Sequence, residues 1–315
     1  MSAPLYLVDA SIYIFQAHFS PHMQVWSRRS EDRSAFVGFT RFMLRLLREV
    51  NLAAASAGAD EPPRIAVAFD ESLFSGFRHR LYPEYKSNRV LPDENLARQL
   101  QACARLCETL GVRGFGSQEY EADDIIGTLS KRARGDSPVV IVSRDKDLSQ
   151  LLSNADDRLW DYQNRVRRGR NDIFTHYGIW PEQFPCYLGL TGDAIDCIPG
   201  VPGIGPVAAR ALLTHFKSLD ALYEDLDTVA SLNFRGAGTC AQKLTTHRQQ
   251  AILSRSLAQI LCCDEGEEIF SQVSATGLRQ TDQRPDEFSA LLNELGIADD
   301  DLHRLRGMLD ALQNR

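Results

Sequence analysis

Several features are missing from this 315-residue chain, and each absence narrows the field. No apolar run is long enough to span a bilayer. The N-terminus lacks the basic-then-apolar pattern of a secretion signal, so a cytoplasmic protein is expected. The seven cysteines (103, 107, 186, 197, 240, 262 and 263) form no C-x-x-C pair and have no histidine-rich partner segment. That argues for free thiols in a reducing compartment and against zinc or a disulfide framework. Internal repeats and low-complexity tracts are absent. So is an excess of positive charge: the net charge is −7, which at first speaks against a nucleic-acid partner. The charge sum misleads, however, if acids serve as metal ligands, because bound cations neutralise them.

What is present is an ordinary globular composition, 43% hydrophobic and 24% charged. The first two thirds alternate strand and helix patterns. Apolar runs at 4–10, 64–70 and 138–145 read as buried strands, with a shorter strand near 112–116. Helical periodicity covers 35–50, 96–110 and about 121–134. That alternation implies a parallel sheet with helices on both faces. Past about residue 175 strand signals thin out, and 181–262 reads as short helices joined by Gly and Pro turns. Residues 55–63 and 271–286 read as loops.

The acids sit at informative places. Asp9, Asp70 and Asp145 each fall at or near the C-terminal end of an expected strand, the edge where open α/β sheets build their sites. Any one of them is explained as well by capping the next helix. Asp145 and Asp147 are two residues apart, so a continuing strand would point both to one face. Glu121, Asp123 and Asp124 open a helix, where the helix dipole alone favours acids. Asp193 and Asp196 bring the set to nine. So many carboxylates in one cleft require cations, and all-oxygen ligands favour Mg²⁺ over zinc. Two such ions about 4 Å apart suit phosphodiester hydrolysis. A haloacid-dehalogenase-type phosphatase also starts with a strand and an Asp, but it needs an acid where this chain has Ser11.

Following Asp70, the stretch ESLFSGFRHRLYPEYKSNR interleaves Arg78, Arg80, Lys86 and Arg89 with Phe77, Tyr82 and Tyr85. Cations neutralise phosphates and aromatics stack on unpaired bases; a solvated helix with snorkelling cations gives the same pattern. Arg78, Tyr82, Tyr85 and Arg89 approximate one helical face, although Pro83 predicts a bent or two-part helix. Further on, DAIDCIPGVPGIGPVAARALL places Asp193 and Asp196 directly before a glycine turn and a helix start. Such a turn brings backbone close to a phosphate, with Gly203 and Gly205 as the sensitive positions. A plain helix–turn–helix corner is the alternative.

LVDAS (7–11), VAFD (67–70), FRHRLYPEYKSNR (77–89), YEADDIIGTL (120–129), SRDKDLSQLL (143–152) and GLTGDAIDCIPGVPGIG (189–205) together resemble the structure-specific 5′ nucleases. That family comprises bacterial 5′–3′ exonucleases, the N-terminal nuclease domain of bacterial DNA polymerase I, and flap endonucleases. The resemblance implies an α/β fold with a parallel, PIN-like sheet flanked by helices and a mostly helical C-terminal region. A catalytic domain would span 1–180 with a helical arch at about 72–95. A helix–three-turn–helix DNA-binding region would span 181–275 and a helical segment 276–315. Asp9, Asp70, Glu121, Asp123 and Asp124 match the family's first metal group, and Asp145, Asp147, Asp193 and Asp196 its second. Lys86 and Arg89 match the arch cations at the scissile phosphate. DNA contacts are expected from Phe15, Arg78, Tyr82, Lys86, Arg89, Gly203 and Gly205. The resemblance also implies two Mg²⁺ ions, replaceable by Mn²⁺, and a K⁺ on backbone carbonyls around Ile198, Val201 and Ile204. The implied substrate is flapped, gapped or nicked DNA, including RNA-primed 5′ ends, handled by a stand-alone, monomeric, nucleoid-associated enzyme of replication and repair. The sequence departs from the family pattern at Ala10, Phe15, Gln16, Ile195 and Cys197. The other readings are a related PIN-type ribonuclease and a DNA-structure-binding protein with little catalysis.

Overall fold

Apolar runs too short for helices and bounded by turns become strands; the longer periodic segments become helices. The computed structural model describes residues 3–22, 24–59, 61–72, 74–262, 273–274 and 276–313; Cys263 and residues 271, 272 and 275 of the expected loop lie outside them. In chain order the elements are β1 (Leu5–Asp9), α1 (Ala10–His18), α2 (Ser34–Ser56), β2 (Arg64–Asp70), α3 (Phe77–Leu81), α4 (Glu94–Thr109) and β3 (Arg113–Ser117). Then come α5 (Ala122–Ala133), β4 (Val139–Val142), a 3-10 turn (Asp147–Leu151), β5 (Arg158–Asp161), β6 (Val166–Arg168), α6 (Arg170–Tyr177) and α7 (Phe184–Thr191). The remainder holds α8 (Pro206–Phe216), α9 (Leu219–Glu224), α10 (Ala237–Thr246), α11 (Arg248–Ala258), α12 (Pro285–Glu294) and α13 (Asp299–Gln313).

Packing divides the chain into two units that cut across the sequence. Met1–Glu71, Leu91–Ser143 and Cys262–Arg315 form the first, Ser72–Val90 and Arg144–Leu261 the second. The first unit carries the parallel sheet, ordered β3-β2-β1-β4. Every residue of β1 and β4 is buried, as expected for parallel strands covered on both faces. Asp93 caps α4 by accepting from the Leu96 amide at 2.7 Å. The described part of the expected C-terminal segment, 276–313, packs here: α13 lies on α2 and α12 on α4. Arg41 fixes α13 through Asp301 at 2.6 Å. Helix α2 also runs six residues past the expected end at 50, into the segment read as a loop.

The second unit holds the β5–β6 antiparallel hairpin and the helices α3 and α6–α11. Tyr85, Leu188, Ile198, Leu257 and Ala258 form a buried cluster, with Tyr82, Tyr187 and Leu253 packed against it. In the segment expected to form the arch, the helix breaks at Pro83 as the sequence predicts. Helix α3 stops at Leu81, before the Tyr82–Pro83 step, and a series of turns covers 83–88. Proline's ring disfavours helical backbone in the residue before it, and Tyr82 is extended, at φ −148° and ψ 99°.

Candidate active site

The nine expected acids divide between the two units. In the first, Asp9 ends β1 and Asp70 ends β2. Asp9 pairs in register with Ala68, and Asp70 lies two residues on, so both share one face at the C-terminal edge of the sheet. Ser143, just past β4, donates its hydroxyl to Asp9 Oδ2 at 2.8 Å. Helix α5 starts a few residues after β3 leaves the same edge. There Glu121 and Asp124 form a reciprocal capping box, with the Glu121 amide donating to Asp124 Oδ2 at 3.1 Å. Helix capping is therefore part of what these two acids do. Both are buried, and Asp123 is half-buried.

Asp145, Asp147, Asp193 and Asp196 belong to the second unit. The expected continuing strand is corrected here. β4 ends at Val142, and Asp145 and Asp147 come together through a turn in which the Asp147 amide donates to Asp145 Oδ1 at 2.9 Å. Burial, then the charge of Asp145, pushes the Asp147 carboxyl up to about 8. Burial also raises Asp145, although the Asp147 amide works against it. Asp193 is bracketed by an antiparallel bridge to Ile198 and accepts from the Ile195 amide at 2.8 Å.

Three cations meet this group. Arg89 donates to Asp196 Oδ1 at 2.8 Å, and the Lys86 ammonium lies 3.8 Å from Asp196 Oδ2. Lys146 donates to Asp193 Oδ2 at 2.7 Å. Burial works against ionising Asp193, but Lys146 and the Ile195 amide outweigh it, and its pKa is lowered. Lys86 is buried and sits in the left-handed region at φ 51°, with its amide on the Asp196 carbonyl at 3.1 Å. Asn88 holds the Ile195 carbonyl at 3.0 Å. The segment 86–89 is thus docked on the loop 193–197.

The donor set suits a hard divalent cation: its oxygens are carboxylate, and buried Asp147 Oδ1 has no hydrogen-bond partner. Among the described residues no three acidic, His or Cys side chains already close around a common point. In the second unit the geometry gives a reason, since Lys86, Arg89 and Lys146 hold the oxygens of Asp193 and Asp196.

The remaining expected residues separate clearly. Arg78 is 3% exposed, and its guanidinium donates to the carbonyls of Leu257 and Gln259, each at 2.8 Å. That is an internal tie, and it corrects the expected DNA contact. Tyr82 is half-buried, with its hydroxyl on Glu84 at 2.7 Å. Phe15 stacks at 6.3 Å on Phe19, which is 74% exposed and was not foreseen. At Gly205 φ is −97° and a Cβ meets nothing within 4 Å, so any sensitivity there comes from close approach of a ligand and not from backbone conformation. Within residues 190–205 the left-handed glycines are Gly192, Gly200 and Gly203. A Cβ on Gly200 would lie 2.2 Å from the Gly192 amide nitrogen, so these two backbones interlock. The Gly203 carbonyl accepts from the Lys243 ammonium at 3.2 Å. Ile198 and Val201 carbonyls already accept from the amides of Asp193 and Ile204. Lys146, Lys243, Gly192 and Phe19 went unread in the sequence; the D-K-D spacing was a usable signal for Lys146, since a cation between two acids has a carboxylate partner close by.

One unit carries a parallel sheet with acids at its C-terminal edge, and the other a carboxylate–cation cluster and a glycine turn; each is a feature that nuclease chemistry uses. The comparisons carry this further. The family model for the 5′-3′ exonuclease N-terminal resolvase-like domain matches residues 4–178, and that for the 5′-3′ exonuclease C-terminal SAM fold matches 179–280. The chain is 33% identical over 265 residues to a 5′-3′ exonuclease of Buchnera aphidicola (subsp. Schizaphis graminum), covering 82% of this chain and 86% of that one. It is 36% identical over 261 residues to DNA polymerase I of Pseudomonas aeruginosa, covering 82% of this chain but 27% of the polymerase. The solved structure of T5 5′-exonuclease with divalent metal ions (zinc) bound superposes with a TM-score of 0.59 at 20% identity, covering 98% and 99% of the two chains. The catalytic core of Rad2 in complex with a DNA substrate gives 0.62 at 16% identity, covering 99% and 92%. The chain therefore belongs to the 5′-3′ exonuclease family, and its catalytic class is that of a nuclease. No helix among the described residues is long and apolar enough to cross a membrane.

Proposed function

We propose that the protein hydrolyses phosphodiester bonds near 5′ ends of flapped, gapped or nicked DNA, as a Mg²⁺-dependent 5′–3′ exonuclease and flap endonuclease of replication and repair. The carrying observation is the cluster of the second unit. Two half-buried carboxylates, Asp145 and Asp147, share one turn, and Asp193 and Asp196 are each held by a cation. Two carboxylates drawn this far out of water and this close together are costly to ionise without a divalent ion. Asp9, Asp70, Glu121, Asp123 and Asp124 would hold one ion, and Asp145, Asp147, Asp193 and Asp196 a second. Bound Mg²⁺, or Mn²⁺ in its place, supplies an activated water and neutralises charge on the scissile phosphate.

The chain's own residues do the rest. Lys86 and Arg89 stabilise the negative charge that builds on the phosphate in the transition state. Phe15, Phe19 and Tyr82 offer faces for unpaired bases at the 5′ end. The turn at Gly203 and the start of α8 grip a duplex phosphate through backbone groups, with a K⁺ near the carbonyls of Ile198, Val201 and Ile204. The reading includes a monomer acting in the cytoplasm at the nucleoid, with RNA-primed 5′ ends among its substrates. Cleavage of a 5′-labelled flap with Mg²⁺ and with EDTA tests it. Undiminished cleavage in EDTA, or cleavage of single-stranded RNA in preference to the flap, would overturn it.

A further inference from the structure

Lys146 has no role in the reading above, yet it is central to the second unit's cluster. It separates Asp145 from Asp147 in sequence, and its ammonium reaches a third acid, Asp193, at 2.7 Å. Asp193 Oδ1 is taken by the Ile195 amide, so Lys146 holds the other oxygen of that carboxylate.

We infer that Lys146 is a displaceable counter-ion: its ammonium and the divalent cation compete for Asp193 Oδ2. This rests on the proposal that Asp145, Asp147, Asp193 and Asp196 ligate metal. Lys146 is then a positioning residue. Without metal it orients the Asp193 carboxylate and ties the loop 193–198 to the D-K-D turn. With Asp193 engaged by metal, the ammonium is released on a long, flexible stem and is free to take an anionic partner. The same arrangement weakens metal binding in the absence of DNA, because a neighbouring positive charge opposes a divalent cation. A phosphate arriving with the DNA gives the released ammonium a new partner, so DNA and metal should reinforce each other's binding.

The test is Mn²⁺ titration of the full chain by calorimetry, without DNA, for wild type, Lys146→Met, Lys146→Arg and Asp145→Asn. Lys146→Met keeps most of the aliphatic stem and removes the charge. It should bind Mn²⁺ about 10-fold more tightly, while Lys146→Arg stays near wild type. A strut without competition predicts the opposite for Lys146→Met: unchanged or weaker Mn²⁺ binding, and that result overturns the inference. Asp145→Asn separates the two levels. If it loses Mn²⁺ binding while Lys146→Met matches wild type, the inference fails and the metal site stands. If Asp145→Asn binds Mn²⁺ like wild type, both fail. Melting of each variant in EDTA confirms folding; should Lys146→Met not fold, Lys146→Gln is titrated and the same two outcomes decide.

Discussion

The amide of Asp147 donates to the carboxylate of Asp145 at 2.9 Å, so the backbone itself holds two half-buried carboxyl groups together. Such an arrangement makes sense only if their charge is used. Asp145→Asn and Asp147→Asn should each abolish flap cleavage in Mg²⁺ while leaving flap affinity equal or better, because removing negative charge does not hurt binding to a polyanion. Single-turnover cleavage and gel-shift titration check this, and wild-type cleavage in both variants would remove them from the metal site.

The same pair has a signature in stability. The Asp147 carboxyl is pushed from an ordinary 3.8 up to about 8 by burial and by Asp145. Between those values the folded, metal-free chain keeps the proton and the unfolded chain has released it. Its contribution to stability therefore falls as pH rises across that window. In EDTA, Asp147→Asn should raise the melting temperature by several degrees at pH 8 and by much less at pH 5. Equal shifts at the two pH values would mean that the buried charge is not what costs stability.

Lys86 is buried beside Asp196, not displayed on an open surface. Lys86→Ala should lower the single-turnover rate by about 100-fold or more, as loss of a transition-state charge contact does, with only a few-fold change in affinity. A loss confined to binding would place it at the periphery of the substrate.

How far the sequence could be read depended on the range of the interaction. β1, β2 and β4 were legible because a strand buried on both faces is a continuous apolar run, and sheet-edge acids follow from strand ends. The D-K-D turn was not: an extended pair and a turn both bring residues i and i+2 together, and only the end of pairing at Val142 separates them. Arg78 was misread because its partners are 179 and 181 residues away, and an arginine's burial leaves no local mark. Gly192 and Gly200 were passed over for Gly203 and Gly205. Their interlock exists only once the Asp193–Ile198 bridge has closed the loop.

Arg78 now supplies a stability prediction. Replacing it with Ala leaves two carbonyls without their guanidinium partner. The charge-assisted bonds are worth roughly 1.5–3 kcal/mol each before relaxation. Arg78→Ala should therefore lower the urea midpoint of the second unit markedly, whereas Arg89→Ala, at an exposed ion pair, should change it little. Equal midpoints for the two variants would deny Arg78 its structural role.

Gly203 and Gly205 should behave differently, although both lie in the GVPGIG turn. At Gly203, φ is +76°, and a Cβ would approach the Lys243 ammonium to 2.8 Å. Gly203→Ala must therefore strain the backbone, by about 1–2 kcal/mol, and push Lys243 off the Gly203 carbonyl. At Gly205, φ is ordinary and the space in front is open, so a side chain fits the free protein. Gly205→Val should keep the wild-type melting temperature and lose duplex affinity only because it blocks a phosphate from the start of α8. The Lys243 ammonium is a tethered cation already resting on a turn carbonyl, and it bears on the K⁺ expectation. If K⁺ bridges the turn to DNA, wild-type affinity should be higher in KCl than in a bulky organic-cation salt of equal ionic strength, and Lys243→Ala should widen that gap. Affinity that is equal in both salts for wild type, and falls equally in both for Lys243→Ala, would assign the bridging charge to the lysine and remove the K⁺ site. Unchanged affinity in Gly205→Val would leave the turn as a structural corner.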